Sequence, residues 1–185
     1  MKRFLLLLLI ISLLPSAKAT YLLVPMDETQ RNHLKAYGIA YYALERDVEV
    51  TWLLNYRGGA FMMKYADAIE RQAKLRGVSV DVIADGQSTA ILSEIADPSV
   101  NMDAVRLQKA PKIAVYSPKS KLPWDDAVTL VMTYAEIPYD VIYDEEVMAG
   151  VLPTYDWLHL HHEDFTGQYG KFWGNYRNAQ SPLSV

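Results

Sequence analysis

Residues 112–144 read KIAVYSPKSKLPWDDAVTLVMTYAEIPYDVIYD. The apolar run KIAVYSP (112–118) predicts a strand, and SKLP a loop. WDDAVTLVMTYAEI (124–137) predicts a helix whose first turn carries two acids, which suits the positive end of a helix dipole. Pro138 ends that helix, and YDVIYD (139–144) predicts a second strand. A strand–helix–strand unit of this length joins two parallel strands by a right-handed crossover. This stretch therefore sets the expectation for the rest of the chain.

Upstream, YLLVP (21–25) predicts a first strand and QRNHLKAYGIAYYALERD (30–47) a helix, with Leu34, Tyr37, Tyr41 and Leu44 at helical spacing. VEVTWLLNY (48–56) predicts a strand that Arg57-Gly58-Gly59 closes. FMMKYADAIERQAKLRG (61–77) predicts a helix with Gly77 as its C-terminal stop. VSVDVIAD (78–85) predicts a further strand. The region 86–111 is looser, with a short helix near 89–95 and a break at Pro98. Downstream, EEVMAGVLPT leads to YDWLHLHH (155–162), a last strand, and the tail predicts one more helix. The units at 21–56 and 112–144 share an outline without sharing residues. The pattern predicts an α/β chain, a doubly wound and mostly parallel sheet with helices on both faces. Residues 20–185 form a single domain in this reading, with a sub-boundary near 96–111.

The chain opens with MKRFLLLLLIISLLPSAKA. A short basic start, an apolar run and the small-x-small sequence Ala17-Lys18-Ala19 predict a secretory signal peptide over residues 1–19. Its apolar core is too short to span a bilayer, so no integral membrane segment is expected after cleavage. The protein is expected to be exported, to a bacterial periplasm or the cell exterior. Three of the 18 basic residues lie in this leader, which leaves 15 against 22 acidic residues and a net charge of −7. An acidic balance without a basic cluster argues against nucleic-acid partners. Cysteine is absent. That removes disulfides, thiolate metal sites and cysteine nucleophiles.

Three blocks carry a resemblance: MDETQRNHLKAYGIAYYALERDVEVTWLLNYRGG, PWDDAVTLVMTYAEIPYDVIYDEEV and YDWLHLHHEDFTGQYGKF. They resemble exported bacterial proteins of the Bacteroidetes type that carry the label "asparagine synthetase B". Segment 112–164 is also similar in layout to class I glutamine amidotransferase-like domains, which implies a flavodoxin-like sheet. Family members run longer, and this chain stops soon after the strand at 155–162, which reads as a C-terminally truncated sheet. The activity in the label needs a cysteine to attack glutamine and a glycine-rich loop for ATP pyrophosphate. The chain has no cysteine, and its only Gly-Gly pair lies in NYRGGA. Composition therefore excludes cysteine-dependent glutamine hydrolysis.

In open parallel sheets, ligands bind beyond the carboxyl ends of the strands. The groups expected there are Asn55, Tyr56, Arg57, Asp85, Ser117, Asp144 with Glu145, and His161 to Asp164. The stretch WLHLHHED (157–164) holds three of the four histidines. Alternation puts Trp157, His159, His161 and Glu163 on one side of a strand. Histidines two apart on a strand are roughly 7 Å apart at Cβ, so His159, His161 and Glu163 can share Zn²⁺ or another divalent metal. A metal-bound water would then attack an ester or amide. Without metal, His161 and Glu163 form a general acid–base pair. The structural alternative makes His159 a core histidine and His162 and Asp164 loop or cap residues. In NYRGG, Asn55, Arg57, Gly58 and Gly59 offer a backbone and a guanidinium to an anion, or simply a tight turn. Asp144 is a further candidate ligand group, and Asp125 and Asp126 read as helix-start acids. Two functions follow: noncatalytic binding of a small molecule or partner protein, and a metal-dependent hydrolase built on WLHLHHED.

Overall fold

In the computed structural model, which describes residues 20–118 and 126–160, the chain divides between Ala110 and Pro111 into two units. The protein is mixed α/β, and each unit has its own sheet. Among the described residues, no helix is long and apolar enough to cross a membrane.

The first unit turns on residues 61–64. The sequence predicts a helix from Phe61 onward, but Phe61–Lys64 is strand β3. It follows β1 (Tyr21–Val24), α1 (His33–Leu44) and β2 (Val50–Leu54), and precedes α2 (Asp67–Leu75), β4 (Asp81–Ile83), α3 (Asp85–Ile95) and β5 (Asp103–Leu107). The five strands lie in the order β4-β1-β3-β2-β5, and every neighbouring pair is antiparallel. The first four strands and their two helices have the connectivity of the split β-α-β motif.

β3 is the middle strand of this sheet. Leu22, Val24, Val50, Phe61 and Met63 pack on one face with Ile39 and Ala43 of α1 and Ile69 of α2. Leu23, Leu53, Met62 and Ile83 pack on the other with Ile91 and Ile95 of α3. A strand covered on both faces is apolar at successive positions and shows no alternation. Methionine also favours helices intrinsically, and two-sided burial overrides that preference. This strand is what corrects the parallel expectation: it returns the chain beside β2, so the sheet of the first unit is antiparallel. The edge strand β5 lies in the region expected to be loose. It is held by its ladder to β2 and by an Arg106–Glu49 ion pair at 3.4 Å, with little burial, so it carries little hydrophobic signal.

The second unit keeps the parallel expectation. β6 (Ile113–Tyr116), α4 (Ala127–Ala135), β7 (Asp140–Ile142), α5 (Asp144–Met148) and β8 (Trp157–Leu160) build a three-stranded sheet in the order β7-β6-β8. Both pairings are parallel, with Val115 opposite Val141 on one side and His159 on the other. Asp126 caps α4: its side chain accepts from the Val128 amide at 2.6 Å. Ala114, Val115, Thr129, Met132 and Ala135 are buried in this unit.

Candidate functional site

The residues singled out in the sequence fall into both units. Asn55, Arg57, Gly58 and Gly59 form the hairpin between β2 and β3. Asn55 and Arg57 both take positive φ, 61° and 45°, and the two glycines follow at 77° and 93°. Left-handed backbone costs a non-glycine residue about 1–2 kcal/mol, so this turn is held from outside. Gly58 is pressed against the chain: a Cβ there would lie 2.4 Å from the Met26 carbonyl oxygen. The Met26 amide in turn donates to the Arg57 carbonyl at 3.0 Å.

The Arg57 side chain completes this attachment. Nε donates to Asp27 Oδ2 at 2.7 Å, Nη1 to Asp81 Oδ2 at 2.7 Å, and Nη2 to Thr29 Oγ1 at 2.9 Å. The guanidinium, helped by the Thr29 hydroxyl, holds the Asp27 carboxyl down to about 2. Beneath it, buried Gln30 donates to the Pro25 and Ser79 carbonyls and accepts from the Ser79 amide at 2.8 Å. Each guanidinium nitrogen that the sequence reading offered to an anionic ligand thus has a partner inside the chain. The Asn55 side chain likewise donates to the Asn101 carbonyl at 2.8 Å.

The second unit gathers its polar groups at the carboxyl edge of the parallel sheet. His159 Nε2 lies 2.8 Å from Asp126 Oδ2. The Asp126 side chain is 7% exposed and that of His159 17%. Burial alone would raise the Asp126 carboxyl. The bonds from His159 and the Val128 amide outweigh it, and the net shift is downward. A charged carboxylate can only accept, so the ring nitrogen that faces Asp126, Nε2, is the donor of this bond. Trp157, two residues earlier, stands edge-on to this imidazole with ring centroids 6.2 Å apart.

Ser117 follows β6 directly. Its amide donates to the Ile142 carbonyl at 3.0 Å, so the strand ladder runs on through it. Alternation puts Ser117 on the face of Val115, whose neighbour across the sheet is His159. The residue is 1% exposed, and its hydroxyl has no hydrogen-bond partner. Tyr116 belongs to the other face. Its hydroxyl donates to Asp144, its ring lies 5.1 Å from that of Tyr143, and the bond to Asp144 pushes its phenol up to about 12.

His161 and Glu163, the expected acid–base pair and two of the three expected metal ligands, lie outside the described residues. Among the described residues, no cluster of three His, Asp or Glu side chains is placed to hold a metal ion. His159 and Asp144 come to the same sheet edge, while Asn55, Arg57, Gly58 and Gly59 belong to the other unit. Asp126 was read only as a helix-start acid. It is one, and it also orients a histidine 33 residues away, a pairing that no local pattern reveals. The chain matches no protein-family model, no curated protein and no solved structure.

Proposed function

We propose that this chain is an exported protein whose C-terminal unit binds a small ligand, without catalysing its reaction, at the carboxyl edge of a flavodoxin-like sheet. The observation that carries the reading is the strand order β7-β6-β8. In chain order this is 2-1-3, the order with which flavodoxin-like sheets begin. The chain passes from β6 to β7 on one side and then crosses to β8 on the other, so the strand order reverses at β6. Such a reversal opens a crevice at the carboxyl ends, the usual ligand position in these sheets. Ser117, the Asp126–His159 pair and the Tyr116–Asp144 pair flank it. The leader sequence and the resemblance to exported amidotransferase-like proteins support the same reading, and the missing cysteine removes the glutaminase chemistry of such domains.

The test is a fragment titration of the full chain followed by backbone and imidazole NMR. Binding fragments should shift Ser117, His159 and Tyr116 together. Fragments that shift only residues of the first unit would overturn the reading.

One observation favours a second reading, a metal-dependent hydrolase. A carboxylate that holds one imidazole nitrogen of a histidine is the usual outer partner of a metal-ligating ring. Asp126 stands in that relation to His159, and His161 and Glu163 would supply further ligands by sequence. Elemental analysis of untagged protein decides between them. A near-stoichiometric divalent metal that is lost with His159→Ala would favour the hydrolase.

A further inference from the structure

Helix α4 carries no charged side chain. From Ala127 to Ala135 it reads AVTLVMTYA. Thr129, Met132 and Ala135 are buried, while Val128, Leu130, Val131 and Tyr134 are exposed. A helix that is apolar all round is ordinarily covered all round. Two hydrogen bonds orient it over the sheet. The Thr133 and Tyr139 hydroxyls meet at 2.9 Å, which puts β7 on the Thr133 side. The Asp126–His159 bond puts the start of α4 over the end of β8. At 100° per residue, Val128 and Val131 lie on the flank opposite Thr133, over β8. Trp157 lies on the same face of β8 as His159, nearer the amino end, and is 43% exposed. Val128 and Val131 thus wall an apolar groove beside α4, with Trp157 as its floor and Tyr134 at its rim.

Reach and sequence pattern point to the occupant. Strand β8 ends at Leu160, beside the first turn of α4, and residues 161–185 lie outside the described residues. In their sequence, Phe165, Tyr169, Phe172, Trp173 and Tyr176 recur at i, i+4, i+7, i+8 and i+11, which is one face of a helix. Gly167, Gly170, Lys171 and Gly174 fall on the opposite face. Residues 165–176 would make a helix about 18 Å long, beside about 14 Å for α4. The link 161–164 can span about 13 Å, enough to enter the groove. Each glycine costs a helix about 1 kcal/mol relative to alanine, so this one depends on burying its aromatic face. A groove the length of α4 offers far less than the ~800 Å² per partner that a stable dimer buries. A segment of the same chain needs less, because its link holds it at about millimolar effective concentration.

We propose that residues 165–176 dock as a helix in this groove, with their aromatic stripe against Val128, Val131 and Trp157. The contact is a docking surface for the chain's own C-terminal segment, and it stands independently of the ligand reading above.

The chain has no cysteine, so an engineered pair reports on one contact alone. Both helices would start at the carboxyl edge, which brings Tyr169, the fifth residue of its segment, level with Val131, the fifth of α4. In the full chain, Val131→Cys with Tyr169→Cys should close to an intramolecular disulfide under mild oxidation. Val131→Cys with Lys171→Cys, whose second thiol points outward, should close at least about tenfold more slowly. A disulfide formed only between chains would assign the groove to a second copy. Equal rates for the two pairs would mean that no helix is docked in this register. Either result overturns the proposal. Hydrogen exchange on the full chain gives a second test without cysteine. Val131→Asp changes an exposed position and leaves the buried side of α4 intact. Amides of 165–176 should lose about tenfold or more of their protection, while those of β6 and β8 keep theirs. Amides of 165–176 that are unprotected in the wild type, or equally protected in Val131→Asp, would also overturn it.

Discussion

Arg57 in the first unit and Ser117 in the second occupy similar places, just past the end of a strand, and differ in how their polar atoms are satisfied. Each guanidinium nitrogen of Arg57 has an oxygen partner, and the surrounding loop is tied down by Gln30, Asp27 and Asp81. The Ser117 hydroxyl has none, although it is the more buried of the two. A group whose bonds are all made inside the chain holds the chain in shape. A buried group with a bond unmade is a cost to folding, and it is the group with capacity left for another molecule. The contrast turns NYRGG, a candidate anion site by sequence, into a structural knot. It turns the edge of β6 and β8 into the candidate site.

The largest effect that can break this contrast is at Gly58. Its φ of 77° and the 2.4 Å approach of a Cβ to the Met26 oxygen leave no room for alanine. The contact is backbone on both sides, so neither partner can rotate away. Gly58→Ala should destabilise the first unit by about 3–5 kcal/mol, the range for strain combined with a steric clash. Urea unfolding followed by Trp52 fluorescence measures it. A loss under 1 kcal/mol would mean the hairpin is free to move, and the knot would no longer explain its positive φ angles.

Next comes Asp126, which ties the candidate site to the fold. Asp126→Ala removes the cap of α4 and the partner of His159 together. A lost cap costs about 1 kcal/mol and a hydrogen bond to a charged group somewhat more, so about 2 kcal/mol is expected from the urea midpoint. Asp126→Asn keeps an oxygen for the Val128 amide and should recover about half. Asp126 is held below the ordinary carboxylate range in the folded state. Its contribution is therefore complete above the unfolded carboxyl value and fades as pH falls through the depressed one.

How much of this could be read from the sequence differs between the units for physical reasons. The second unit has short strands and a helix separated by Pro118 and Pro138, so β6, α4, β7 and β8 all fall inside their expected ranges. In the first unit, Phe61-Met62-Met63 reads as the start of a helix because two-sided burial erases the alternation that marks a strand. That one strand decides between parallel and antiparallel. The division of the chain after Ala110 falls in the window 96–111, where the sequence pattern is weakest. At the site, His159 was legible from its composition-rich stretch and Ser117 from its place at a strand end. The Asp126–His159 pairing, and the absence of a partner for Ser117, depend on contacts made across the sheet.

Arg57 offers a comparison by titration. Its guanidinium is the main reason the Asp27 carboxyl sits at about 2. That value lies below the unfolded one of about 3.9. The resulting stability is therefore present above pH 4 and is lost as pH falls toward 2. In Arg57→Gln the Asp27 value should rise toward its ordinary range, and the acid-unfolding midpoint of the first unit should move up. Carboxyl carbon NMR across an acid titration reads both. An Asp27 value that stays near 2 without Arg57 would assign the shift to Thr29 and the loop backbone.

The smallest expected effect is the most telling for the contrast. Ser117→Ala deletes a hydroxyl that has no partner in the folded chain. Removing a paired buried hydroxyl costs about 1 kcal/mol, whereas removing an unpaired one also removes its desolvation penalty. The free protein should therefore be unchanged or up to about 1 kcal/mol more stable in urea. A ligand that bonds to Ser117 reverses the order. With a fragment bound at this edge, wild type should gain stability in proportion to occupancy while Ser117→Ala gains less. The two unfolding curves should then cross as ligand is added. If Ser117→Ala is destabilised by 1 kcal/mol or more without ligand, the hydroxyl already has a partner. Its place would then be beside Arg57 among the groups that hold the chain in shape.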